Sequence, residues 1–123
     1  MPAGPSGAVL DAQALANLAQ LDPTGANKLL PRVLVTYRSS LARLLGQLAA
    51  ARLSFDPVTL KLVTHTLKSS SASVGALTLA AMCAAAEQAL REGRLDGLNP
   101  LLDELEAEAA RIDAAVQQLL SSL

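Results

Sequence analysis

A chain of 123 residues is long enough for one domain with its own core, and at 51% hydrophobic residues it can build that core without disulfides or a metal. Aromatics are only 2% and the apolar set is almost all Leu, Ala and Val, which favours close-packed helices over a sheet. One cysteine excludes an internal disulfide, one histidine beside it argues against a zinc or iron site built by this chain alone, and a net charge of −1 with no basic cluster or aromatic platform argues against nucleic acid.

Residues 1–8 are Pro, Gly, Ala and Ser after Met1 and read as a flexible lead or linker ahead of a helical unit over 9–123. No basic segment precedes an apolar stretch there, so no signal peptide is expected. Leu10, Ala14, Leu18 and Leu21 then mark a short helix, closed by the turn residues Asp22, Pro23, Thr24 and Gly25. Leu30, Leu34, Tyr37, Leu41, Leu44 and Leu48 form the seam of a long second helix, with Asn27 as its expected cap and Pro31 in its first turn. Asp56 and Pro57 start a third helix as cap and first residue, and Gly75 should stop it. The fourth helix covers about 77–92, with Leu79, Cys83, Ala86 and Leu90 as its seam. Asn99 and Pro100 repeat the cap-then-proline signal for a fifth, whose seam is Leu105, Ala109, Ile112, Val116 and Leu119.

The fold class is therefore all-α: an antiparallel four-helix bundle with a short extra N-terminal helix. Residues 69–86 carry a single charge-free stretch, but four serines, Thr78 and Gly75 interrupt it, so no membrane span is expected. A free cysteine suits a reducing compartment, and the expected location is cytoplasmic.

His65 is the most informative residue. At about 100° per residue, Leu60, Val63, Leu67 and Val74 fall within about 40° of the side opposite to it. Those four form the buried stripe, and His65 faces solvent together with Val58, Lys61, Leu62, Lys68, Ser69 and Ala72. Val58 and Leu62 are apolar on a face that should be wet, which suggests a docking surface, and the small Ser69 and Ala72 would let a partner approach closely. The charge is uneven as well: residues 1–68 carry net +4 and residues 69–123 net −5, so the surroundings of His65 suit an acidic pocket. Lys61 and Lys68, one turn away on either side, disfavour a protonated ring and can screen an incoming phosphate. No carboxylate lies within four residues of His65, as a self-sufficient catalyst or metal ligand would usually require, so the missing machinery is expected from a partner.

The run His65-Thr66-Leu67-Lys68-Ser69-Ser70-Ser71-Ala72-Ser73-Val74-Gly75-Ala76 resembles the signature of the histidine-containing phosphotransfer (HPt) domains of bacterial two-component phosphorelays. Cys83, Glu87, Arg91 and Gly93 match the later part of that signature, and the likeness extends over about residues 8–123. Ser69 departs from the usual glycine and Ala86 from a frequent leucine. The resemblance implies that His65 accepts a phosphoryl group from a receiver-domain aspartate and passes it to another receiver. Lys68, with Lys61 and Ser69, would support the phosphate. Val58, Leu62 and Ala72 would dock the partner, and Leu67, Gly75 and Glu87 would be structural. No cofactor is expected on this chain; Mg2+ would sit on the receiver. The partners would be receiver domains of response regulators or of a hybrid histidine kinase, of which this chain could be the C-terminal module.

Two other readings compete. A histidine autokinase usually places an acid directly after its histidine, where this chain has Thr66, and it needs a glycine-rich phosphate loop that is missing here. A helical adaptor would use the same face for binding without ever being phosphorylated.

Overall fold

The computed structural model describes residues 10–123; the expected lead over residues 1–8, and residue 9 at the start of the expected bundle, lie outside them. Five helices follow one another: α1 (Ala12–Gln20), α2 (Leu29–Ser54), α3 (Pro57–Ser73), α4 (Leu77–Arg91) and α5 (Leu98–Ser121), with no strand among the described residues. Short connections force consecutive helices antiparallel. Contacts close a ring in which α3 packs on α2 and α4, while α5 packs on α4 and α2.

The interior is the leucine–alanine seam expected of such a bundle. Leu34, Leu41 and Leu48 of α2, Leu60, Val63 and Leu67 of α3, and Leu79, Cys83 and Ala86 of α4 are all essentially inaccessible. Leu102, Leu105, Ala109, Ile112 and Val116 complete the core from α5. Each leucine so buried contributes about 2 kcal/mol through the apolar surface it withdraws from water. Two ion-pair groups staple α2 to α5 at the surface. Arg38 donates to both oxygens of Asp113 (2.8 and 3.2 Å), and Arg52 reaches Asp103 (2.9 Å) and Glu106 (3.1 Å).

The helix ends show where local chemistry differs from the expected caps. Asp56 does cap α3, accepting from the Thr59 amide at 3.2 Å and the Thr59 hydroxyl at 2.6 Å, with Pro57 as the first helical residue. Asn27 does not cap α2. Lys28 occupies that position in a left-handed conformation, and Asp22 reaches forward from the turn to accept from the Asn27 and Leu29 amides. The last helix begins earlier than Asn99: Gly97, with φ of 77°, occupies the cap, and Pro100 sits in the first turn. In both cases a residue able to adopt positive φ, supported by the preceding loop, displaced the side-chain cap.

α2 and α5, at 26 and 24 residues, outrun α3 and α4, at 17 and 15. At 1.5 Å per residue the overhang is roughly 13 Å. α1 occupies that end of the bundle. Asp11 caps α1 by accepting from the Ala14 amide (3.0 Å), and its own amide donates to the Gly75 carbonyl (2.8 Å). Gly75 has φ of 85° and closes α3: its amide bonds to Ala72 O (3.1 Å) and the Ala76 amide to Ser71 O (2.8 Å). A Cβ on Gly75 would stand 2.7 Å from the Asp11 amide nitrogen. Gly75 therefore does two jobs, turning the chain from α3 into α4 and admitting the start of α1.

Gly75→Ala should lose about 2 kcal/mol or more, combining left-handed strain with a backbone clash. Gly93→Ala, also at positive φ but with open space around it, should lose only about 1 kcal/mol. Urea unfolding of the two variants measures the difference; equal losses would show that the α1 contact is unimportant.

Candidate functional site

α3 presents His65 outward, with its side chain 59% exposed. Leu60, Val63, Leu67 and Val74 are buried on the opposite side, as the helical wheel requires. The inner face also holds two polar residues that the apolar stripe does not reveal. The Thr64 hydroxyl donates back to the Leu60 carbonyl (2.9 Å), and Ser71 pairs with the buried Tyr37 hydroxyl (2.9 Å). Burial pushes the Tyr37 phenol up to about 12, so it remains a neutral tie between α2 and α3.

The expectation that His65 has no acid beside it is overturned by tertiary structure. Glu87, 22 residues further on, projects from α4, and its Oε2 lies 2.8 Å from His65 Nδ1. Alanines make this approach possible: Ala80, Ala86 and Ala89 are buried on α4, whose contact with α3 is the most extensive in the molecule. Glu87 thus has a direct contact with the histidine in addition to any structural role.

Glu87 is buried and serves three donors. Its Oε1 accepts from Lys68 Nζ (2.8 Å), while Oε2 accepts from His65 Nδ1 and from Arg91 (2.7 Å). The Lys68 hydrogen bond, followed by the His65 bond and the nearby positive charges, holds the carboxyl below the usual glutamate range against the opposing effect of burial. A carboxylate kept ionised can only accept. The hydrogen between the two groups must therefore belong to His65 Nδ1. In the neutral ring this leaves the lone pair on Nε2, at the exposed side of the imidazole.

The other residues singled out from the sequence lie along the same face without joining the ionic cluster. Val58 and Leu62 are 70% and 64% exposed, Ser69 and Ala72 are exposed, and Lys61 is half-buried, its ammonium without a polar partner among the described residues. Phe55, at the α2–α3 turn three residues before Val58, adds an exposed aromatic that no local sequence signal marks. Beneath the cluster, burial pushes the Cys83 thiol up to about 12, with the Glu87 charge adding to the effect, so it is an inert core thiol. Among the described residues no helix is long and apolar enough to cross a membrane.

A family model described as Hpt domain matches residues 32–119. The chain belongs to the Hpt-domain family. A crystal structure of histidine-containing phosphotransfer protein B (HptB) from Pseudomonas aeruginosa PAO1 is similar over 98% of this chain and 99% of that one, with a TM-score of 0.83 and 26% identity. No curated protein matches the chain. Hpt domains are phosphocarriers that work with receiver domains, and the role of this chain is histidine phosphotransfer in a phosphorelay.

The depressed carboxyl of Glu87 has a stability consequence. Where the folded group holds its charge to lower pH than the unfolded one, the unfolded state binds more protons, and stability falls as pH falls. The contribution is complete above the ordinary glutamate range and vanishes as pH drops through the lower folded value. Urea midpoints should therefore fall more steeply on acidification in the parent than in Glu87→Gln, and an equal slope would show that the ionised carboxylate is not what holds the cluster.

Proposed function

We propose that this Hpt domain is a phosphorelay intermediate in which Nε2 of His65 accepts a phosphoryl group from a receiver-domain aspartate and delivers it to another receiver. The observation that carries this reading is the Nδ1–Glu87 bond, which leaves the Nε2 lone pair free on the largely exposed ring of the only histidine of the chain. In the forward step, Nε2 attacks phosphorus in line. The N–P bond forms as the P–O bond to the receiver aspartate breaks, and that carboxylate leaves with the bonding pair. The proton on Nδ1 stays in place, and Glu87 balances the positive charge that develops on the ring. The return step reverses the order with a second aspartate.

No base on this chain has to remove a proton, because the acceptor nitrogen is already bare. Mg2+ and the acidic pocket belong to the receiver, where the metal would neutralise phosphoryl oxygens. Lys68 has three donor hydrogens and spends one on Glu87, so it can also support the phosphate; Lys61 and Ser69 are placed one turn to either side of His65 to assist. Val58, Leu62 and Ala72 form the docking surface, and Leu67 and Gly75 hold the helix that presents it. Absence of an autokinase step and a cytoplasmic location shared with the receivers complete the proposal.

Incubation with a phosphorylated cognate receiver and Mg2+ should put acid-labile, alkali-stable label on the parent and none on His65→Gln. Leu62→Asp should keep the fold and cut transfer about tenfold or more, the scale of losing one interface anchor. Receiver binding without label in the parent would establish the adaptor reading instead.

A further inference from the structure

Arg91 has no place in the transfer step, yet it shares an oxygen with the phosphoacceptor. Its guanidinium and His65 Nδ1 both bond to Oε2 of Glu87, at 2.7 and 2.8 Å, while Lys68 occupies Oε1. Oε2 has a lone pair for each donor, but the charge of Arg91 draws on the same atom, so the strength of the His65–Glu87 bond depends on how firmly Arg91 holds it. The spacing from Glu87 to Arg91 is i,i+4 on one helix, and Arg91 is otherwise exposed.

We propose that Arg91 is a positioning residue which, by sharing Oε2, limits the pull of Glu87 on His65 and so favours the neutral imidazole that can accept a phosphoryl group. The inference rests on the reading of His65 as the acceptor. Without Arg91, Oε2 would serve His65 alone, and the positive charge of α4 would be gone. Both changes favour the protonated ring, in which Nε2 has no lone pair to attack with.

The charges around His65 come from two helices. α3 supplies Lys61 and Lys68, and α4 supplies Glu87 and Arg91, with the thiol of Cys83 buried below. On α2, the other neighbour of α3, Arg38 and Arg52 are committed to α5, and among the described residues Arg43 makes no polar contact with the cluster. α5 adds no partner to Glu87. Arg94, three residues beyond Arg91, pairs instead with Glu92 and provides a control for loss of one positive charge nearby.

The experiment is an NMR titration of the His65 ring in the parent, Arg91→Gln, Arg91→Lys and Arg94→Gln, paired with phosphotransfer rates across the same pH range. In Arg91→Gln the titration should move to higher pH by about 0.3 unit, the scale of one i,i+4 ion pair. Transfer should fall about 1.5-fold at the parent's titration midpoint, approach a loss of about twofold at lower pH, and recover at alkaline pH. Arg91→Lys should restore most of the parent behaviour, and Arg94→Gln should leave it unchanged. A titration that does not move in Arg91→Gln, or that moves equally in Arg94→Gln, would overturn the proposal. The NMR arm holds even if no phosphoryl transfer is seen in the parent, a result that would instead refute His65 as the acceptor.

Discussion

A carboxylate buried between two helices must be paired, and in this bundle Glu87 is paired with three donors at once, one of them the imidazole of His65. The pairing holds α4 against α3 at the level of the histidine. It also decides the chemistry, because an ionised acceptor on Nδ1 assigns the ring hydrogen to that nitrogen and leaves Nε2 open. One interaction thus serves packing, electrostatics and, in the proposed transfer, the choice of reactive atom. Removing a single donor would leave the carboxylate partly satisfied, whereas removing the carboxylate would strand two cations and free the ring to adopt either tautomer.

The rest of the fold can be read as what this contact needs. α3 and α4 must lie close, and the alanines of α4 permit it. The turn between them must be tight, and Gly75 provides it with a left-handed residue whose missing side chain also admits Asp11 of α1. The Tyr37–Ser71 bond ties α3 to α2 from the other side, so the helix carrying His65 is fixed on both flanks. With the ring orientation already set, the domain can act as a carrier that works with a receiver domain.

Much of this was legible in the sequence. The seams of α2 to α5 were plain because leucine and alanine recur at helical spacing, and the outward direction of His65 followed from the four apolar residues opposite it. Asp56-Pro57 marked the start of α3 because cap and first-turn residue are both local signals. The caps of α2 and α5 differ from the local expectation for a physical reason. Lys28 and Gly97 take positive φ in loops whose geometry is set by non-local contacts, and Asp22 caps α2 from seven residues away. The ionic cluster is not legible from the residues within one turn of His65, because its acid comes from α4. A tertiary signal was present nonetheless: Glu87 lies four residues after Cys83 on the buried face of α4, where a charge needs a partner, and it stands about as far beyond Gly75 as His65 stands before it. In an antiparallel hairpin, such positions meet.

The central claim is that Glu87 fixes the hydrogen on Nδ1 of His65 and so selects Nε2 as the acceptor. Nitrogen-15 NMR of the histidine ring tests it directly, by reading the protonation of each nitrogen in the resting protein near neutral pH and the site of phosphorus attachment after transfer. The account predicts Nδ1–H in the resting neutral ring and phosphorus on Nε2. A resting Nε2–H tautomer, or phosphorus on Nδ1, would contradict it.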